Sequence, residues 1–527
     1  MDRHFTADRV APHMTRTFVL GLDGASWRLL EPWIEAGELP NIAALRESGT
    51  YAESRSCLPP VTFPNWKCYA SGKDPGGFGV FWFEKVDLAN EEISVCNGSD
   101  FDTPELWDYL NDEGQTAGVM NMPSTYPPRD IEEFMVSGGP DAVEGEYRSL
   151  EEGYTAPPEL ASELEDRFGY RVHPDPLLSS NEETGAEVEA ILDLFEARLE
   201  ASITLFEERD LDFMHLTLFY LNVLHHFFWD AEPTRRGWKV VDEWVGRLDD
   251  LEDTDVILMS DHGSAATQTE FYVNEWLAEN GYQTRTTSVD TYFQRVGLTR
   301  ENVLSVAKRL GMVDFLSKVV PERIQQLVPQ EAGVKRGRKL DAIDLPKTKA
   351  VASSQGPIYV NPAYDVDGVA ESLIEDLQRL EDEHGPLFTN VYRGEEIYNG
   401  PYVEEAPEVV VEQRPGVHVN DGMGGGEITT EPARWAAENT NTGIFVASGP
   451  SFEVDGENDQ ISITDMAPTV LANAGCAVPT DMRGEVLDIF VDDPEVETRE
   501  PLSGDGRRST AGDDVTERLE QLGYMEK

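Results

Sequence analysis

Short apolar runs that close on acidic or glycine-containing turns, separated by amphipathic stretches, constrain this chain more than any other feature. Phe18–Leu22 closes on Asp23-Gly24, and Asp255–Met259 closes on Ser260-Asp261-His262-Gly263. Between them, Thr116–Met120 and Asp212–Leu218 read as further strands. Helical patterns fall at Trp27–Glu35, Asn41–Glu47, Pro64–Ser71, Thr103–Leu110, Glu187–Glu208 and Arg235–Leu248, with Thr103 as the expected cap of its helix. Strands alternating with helices predict an α/β fold with a mostly parallel central sheet flanked by helices on both faces. Ligands of such folds bind at the carboxyl ends of the strands. Asp23, Asp261 and His262 stand at such ends and are the first candidates for chemistry.

The pattern breaks once. From residue 286 to 345 the helical stretches Glu301–Leu310, Val313–Val319 and Arg323–Leu327 lead to the basic run Lys335–Lys339. This is expected to be a helical insertion, or a cap whose basic loop approaches an anionic substrate. The α/β pattern resumes with a strand at Ala350–Val360, a helix at Asp367–Leu380, strands at Glu408–Val411 and Gly443–Ser448, and a helix at Ile463–Ala474. The organisation read from sequence is therefore a disordered extension (1–14), a core in two parts (15–285 and 346–490) around the insertion (286–345), and an acidic mobile tail (491–527).

Charge narrows the partners. The chain has 100 acidic and 42 basic residues, a net charge of −58, and Arg far outnumbers Lys. Acid spread over the whole length keeps a surface hydrated when salt screens repulsion, so the reading is halophile adaptation. Binding to a nucleic acid polymer or an anionic membrane is not expected, because both are polyanions. Cys57, Cys68, Cys96 and Cys476 form no CxxC pair and read as free thiols of a reducing, cytoplasmic compartment. No apolar run approaches the ~18 residues of a membrane span. The polar first sixteen residues lack the apolar core of a secretory signal, which leaves the formal sequon at Asn97 with little weight.

The stretch from Cys57 to Lys73 supplies what the strand ends lack. Thr62-Phe63-Pro64-Asn65 places a hydroxyl at the edge of a helix N-terminus, where free N–H groups favour a phosphate. A hard divalent ion needs carboxylates and imidazoles converging from separate strands. Asp23, Asp261 and His262 offer them, with His226 as a further candidate. On such an ion the Thr62 hydroxyl becomes a nucleophile. Asn65, one turn on, is expected to donate to a phosphate oxygen. Each signal also has a plain structural reading: a cap for Thr62, a loop residue for Asp261, a core ring for one of His225 and His226.

Taken in order, the motifs Gly21–Gly24, Thr62–Asn65 with Ser71-Gly72 and Pro75, His226–Trp229, Ser260–Gly263 and Gly443–Pro450 resemble those of the alkaline phosphatase superfamily. The nearest branch is the type I phosphodiesterases/nucleotide pyrophosphatases. Pro123–Pro128 and Gly394–Pro401 are similar to archaeal members. The resemblance spans roughly residues 15 to 480. It implies an alkaline-phosphatase-like fold, a phospho-threonine intermediate at Thr62, and one ion, Zn²⁺ or alternatively Mn²⁺, on Asp23, Thr62, Asp261 and His262. It also implies a second ion held by an Asp, a His and His226. At the first two of those positions this chain has Asn222 and Asn439, which are neutral and poorer ligands. His225, Glu438 or His418 could compensate, and Lys67 or Lys73 could supply the missing positive charge to a substrate. A formylglycine sulfatase is disfavoured, because Cys57 is followed by Leu-Pro-Pro-Val with no arginine.

Three functions follow from this. The first is a metal-dependent phosphoric ester hydrolase acting on a small phosphodiester or nucleotide. The second is a degenerate member that binds a phosphorylated ligand without efficient turnover. The third is a phosphoryl-group transferase.

Overall fold

A computed structural model describes residues 15–139, 153–178, 185–286, 340, 342–423, 425–432 and 435–504. The expected extension (1–14), nearly all of the expected insertion, and the last part of the tail lie outside the described residues.

Five strands form the parallel centre of the main sheet, in the spatial order Thr254–Met259, Arg16–Gly21, Phe213–Thr217, Ala117–Met120 and Glu133–Val136. Their continuous burial follows from covering on both faces, since every side chain then needs an apolar neighbour. On one side the Pro40–Glu47, Gly185–Glu208, Tyr220–Phe228 and Glu232–Asp249 helices pack together. Another group joins the Thr62–Ser71, Leu106–Asp112 and Met466–Asn473 helices. The fold is the expected α/β class. No helix of the described residues is long and apolar enough to cross a membrane.

The sheet continues beyond its parallel centre in an antiparallel sense. Thr442–Ser448 inserts between Thr254–Met259 and Thr50–Arg55, antiparallel to both. Thr50–Arg55 is a strand the sequence reading passed over. It alternates buried and outward residues, and Glu53 and Arg55 on the outward side hide the pattern.

Between the main-sheet segments, the described residues from 269 to 286 and from 342 to 430 gather around their own apolar core of Phe271, Trp276, Ile358, Leu373 and Val409. The expected single strand Ala350–Val360 is there a hairpin, Ala350–Ala352 against Pro357–Val360. The chain reverses where Gln355 and Gly356 adopt φ of 60° and 133°, a region that favours glycine. The expected helix from Thr103 instead spans Leu106–Asp112, with Glu105 as its cap and Asp108 returning a bond to the Glu105 backbone. Pro104 disfavours helical backbone at Thr103 and delays the start. The ordered body also runs past the expected tail boundary at 491. Thr498–Arg499 pairs with Val478–Pro479, and Arg499 bridges to Asp112 and Glu113.

Candidate active site

Two neighbouring parallel strands end at the site. Arg16–Gly21 delivers Asp23, and Thr254–Met259 delivers Asp261 and His262. The turn after the first strand needs Gly24 twice over: its φ is 68°, and a Cβ there would meet the Asn222 Oδ1 at 2.3 Å. The Gly24 N–H donates to Asp261 Oδ1 at 3.2 Å, locking the two strand ends together.

Thr62 opens the Thr62–Ser71 helix, so its hydroxyl stands among the free N–H groups of the first turn. Its Oγ1 lies 3.1 Å from His262 Nε2 and 3.4 Å from Asp23 Oδ1. His262 Nε2 is 3.1 Å from Asp261 Oδ2 and 3.8 Å from Asp23 Oδ1. All four side chains are fully buried.

The electrostatics of this cluster favour a cation. Burial pushes the Asp23 carboxyl up to about 8, against hydrogen bonds from Trp66, Thr62 and Asn222. Burial and the adjacent Asp23 charge raise Asp261 well above the carboxylate range. Burial lowers His262 to about 3, so the ring is neutral. Its Nδ1 lies 2.9 Å from the Gly263 carbonyl and donates to it, which leaves the Nε2 lone pair facing two carboxylates. Two carboxyls that burial drives to hold their protons, beside a neutral imidazole lone pair, are a donor set whose negative charge a positive ion would release and neutralise. Asp23, Asp261 and His262 place ligand atoms within 4.8 Å of one another, and they are the one such group among the described residues. The residues therefore fit a divalent metal.

The structure assigns several expected residues differently. Asn65 is buried and its amide is fully used by the preceding loop. Its Oδ1 accepts from the Cys57 N–H at 2.8 Å, and its Nδ2 donates to the carbonyls of Pro59 and Val61 at 2.9 and 3.0 Å. It holds the loop that presents Thr62 and has no donor left for a phosphate. Asn65→Ala should accordingly cost about 3 kcal/mol of stability, read as a lower denaturant midpoint. A phosphate contact would instead leave stability alone and raise KM.

Lys67 is 1 % exposed and turns to Glu105, which Arg129 also grips; it does not face Thr62. Lys73 pairs with Asp481 at 2.5 Å. His225 accepts from Trp238 Nε1 at 3.0 Å, meets Ser264 Oγ at 3.3 Å, and lies parallel to the Trp238 ring, so it is a core residue. These three are not brought to the nucleophile.

His226 stands outside the three-ligand cluster. Its Nδ1 donates to the Ala437 carbonyl at 2.8 Å, and its ring stacks on Trp435 at 4.0 Å. Its nearness is felt at His262, where it opposes protonation. Asn222 Nδ2 donates to Asn439 Oδ1 at 3.3 Å, and the Asn222 side chain also donates to Asp23. Glu438 and His418 adjoin this amide pair but are committed to each other as an ion pair, and Gln355 Nε2 donates to Glu438 at 2.8 Å. Burial raises Glu438, but His418 outweighs that and holds it below its ordinary value.

Two contributors were not foreseen. Trp66 Nε1 donates to Asp23 Oδ2 at 2.9 Å, and Ser264 Oγ donates to the Gly24 carbonyl at 2.6 Å. An indole one turn into a helix reads as core, and nothing in its spacing distinguishes the two roles.

A sequence model of the family described as type I phosphodiesterase/nucleotide pyrophosphatase matches residues 17–432. The chain belongs to that family. Among curated proteins, none matches it. Solved structures of similar fold include two at low identity. Phosphonoacetate hydrolase from Sinorhizobium meliloti, in complex with phosphonoacetate, superposes with a TM-score of 0.53 at 14% identity, over 82% of this chain and 90% of that one. Murine ectonucleotide pyrophosphatase/phosphodiesterase 5, in complex with AMP, gives 0.51 at 12% identity, over 88% and 96%. At such identities the likeness establishes the fold, and the membership supports phosphoester hydrolysis as the class of activity.

Proposed function

We propose that this phosphodiesterase-family protein is a metal-dependent hydrolase of small phosphodiesters or nucleotides, with Thr62 as nucleophile. The observation that carries the reading is the convergence of the Thr62 hydroxyl, two buried carboxylates and the His262 lone pair within hydrogen-bond reach of one another. Asp23, Asp261 and His262 would hold one divalent ion, Zn²⁺ or Mn²⁺. When bound, such an ion supplies Lewis acidity, which lowers the pKa of the nucleophile and neutralises developing charge.

The chain's own groups do the rest. Asp23 Oδ1, at 3.4 Å, accepts the hydrogen bond of the Thr62 hydroxyl and orients it, while the His262 Nε2 lone pair is kept for the ion. The oxygen attacks phosphorus, the P–O bond to the leaving group breaks, a phospho-threonine forms, and the proton given up by Thr62 ends on the leaving alkoxide, which departs as the alcohol. The free N–H groups of the helix starting at Thr62 receive the equatorial phosphoryl oxygens. Water then attacks the phospho-threonine and regenerates the hydroxyl. Trp66 and Asn222 fix Asp23 by donating to it.

A second reading, binding without efficient turnover, is favoured by the Asn222–Asn439 amide pair, which stands where the resemblance implies ligands of a second ion. Metal analysis of the purified protein is expected to give about one tightly held divalent ion per chain, lost in Asp261→Asn. Two equivalents would remove the basis of the second reading. With bis-p-nitrophenyl phosphate, steady release beyond one equivalent per chain supports the hydrolase. A burst of one equivalent that then stalls supports the second reading, and no release at any metal or salt concentration sinks the first. The unbridged thiols support a reducing, cytoplasmic location, and the net charge of −58 supports assays in high KCl.

A further inference from the structure

A second charged group is buried away from Thr62. Arg198, on the Gly185–Glu208 helix, has no exposure at all. Its Nη2 donates to the Val172 carbonyl at 2.6 Å. Its Nε and Nη1 are buried and reach no hydrogen-bond acceptor. Among the described residues no carboxylate neutralises it; the groups that favour its charge are the hydroxyls of Tyr170 and Tyr220, against the cost of burial. A guanidinium does not shed its proton to escape this cost, as a buried lysine can. A buried charge without a counter-charge is unfavourable, so the cation itself calls for an anion.

The Tyr170 hydroxyl donates to Asn121 Oδ1, and the Tyr220 hydroxyl meets His173 Nδ1 at 2.7 Å, so the donors left for an anion are the guanidinium's own Nε and Nη1. The absent side chain of Gly138 keeps the backbone close: a Cβ there would sit 3.5 Å from Nη2. Asn121, Gly138 and Tyr220 follow the Ala117–Met120, Glu133–Val136 and Phe213–Thr217 strands, at their carboxyl ends. Arg198 therefore lies on the same edge of the sheet as Asp23. With strands ~4.8 Å apart, two to three spacings separate them, about 10–15 Å. Ligands of parallel α/β sheets bind along this edge.

We propose that Arg198, walled by Tyr170, Asn121 and Tyr220, forms a buried anion-binding subsite at the carboxyl edge of the sheet, with Nε and Nη1 as its donors. Its occupant is a small anion, either a free ion from solution or a terminal carboxylate or phosphate of the substrate. The subsite stands on Arg198 alone and does not require Thr62 to be a nucleophile.

The test compares wild type with Arg198→Met, which keeps bulk and removes charge. Crystals of the wild type soaked in bromide are expected to show an anomalous peak beside the guanidinium. Melting in a bromide or phosphate titration at fixed ionic strength is expected to rise saturably, by about 3 °C or more, in the wild type alone. That result assigns a free ion. If neither bromide nor phosphate acts, but AMP binds at least tenfold more weakly to Arg198→Met than to wild type, the occupant is a group of the ligand. Should Arg198→Met fail to fold, the wild-type bromide peak and an AMP-bound wild-type structure decide. No bromide, phosphate or AMP oxygen at Arg198, together with parallel behaviour of the two proteins, overturns the proposal.

Discussion

Thr62→Ala is expected to lower kcat for a phosphodiester by on the order of 10⁴-fold or more, because the residue that forms the covalent bond to phosphorus is gone. The variant should still fold. Thr62 is buried at a helix start, and alanine removes one methyl and one hydroxyl without leaving a charge behind. It should also still bind metal, since the three ligand atoms of Asp23, Asp261 and His262 are untouched. Thr62→Ser restores a hydroxyl and is expected to recover measurable turnover. Steady-state kinetics with metal content measured on the same samples checks all three. Activity unchanged in Thr62→Ala would end the proposed mechanism.

The second large effect is on stability. Glu105→Gln is expected to cost about 3–5 kcal/mol, because it withdraws the carboxylate that neutralises the buried Lys67 ammonium. The side chains of Glu105 and Lys67 are only 1% and 2% exposed, so water cannot take over. Arg129 keeps a second partner in Asp108, which leaves Lys67 as the group most affected. Denaturant unfolding reads this as a fall in midpoint at constant slope. The double variant Lys67→Met, Glu105→Leu should recover most of the loss, since an apolar pair of similar size has no charge to desolvate.

The same cluster sets an acid limit. Burial alone would raise Glu105, but Lys67 and Arg129 outweigh it and hold the carboxyl down to about 2, against an ordinary 4.5. A carboxylate depressed in the folded state stabilises above its unfolded pKa. That contribution, about 3 kcal/mol, is lost as pH falls from about 4.5 toward 2.

The legible part of the site is the part that repeats a local rule. Phe18–Leu22 is continuously apolar because the strand is buried on both faces, and a polar pair at its end has one place to go. Asp261-His262 follows the same logic, and the helix start at Thr62 is marked by Pro64. What stayed hidden depends on rotation about an axis or on partners far along the chain. His225 and His226 are adjacent on one helix and point about 100° apart; whether a given ring meets Trp238 or Trp435 is set by packing. Asn65 has the atoms to grip either a phosphate or its own loop, and only the path of residues 57–61 decides. Lys67 lies two residues beyond Asn65, about half a turn round the helix, and its charge is claimed by Glu105 at the cap of another helix.

The placement of Thr442–Ser448 bears on how the chain is made. This strand fills the gap between Thr254–Met259 and Thr50–Arg55, yet it is synthesised long after both. At about 5–20 residues per second, the ~180 intervening residues take roughly 10–40 s to leave the ribosome. Throughout that interval two strand edges that end up paired in the finished sheet have no permanent neighbour. Such edges are templates for pairing with other chains. A nascent chain stalled before residue 442 is thus expected to be aggregation-prone and to engage holdase chaperones, while one released past 448 is not.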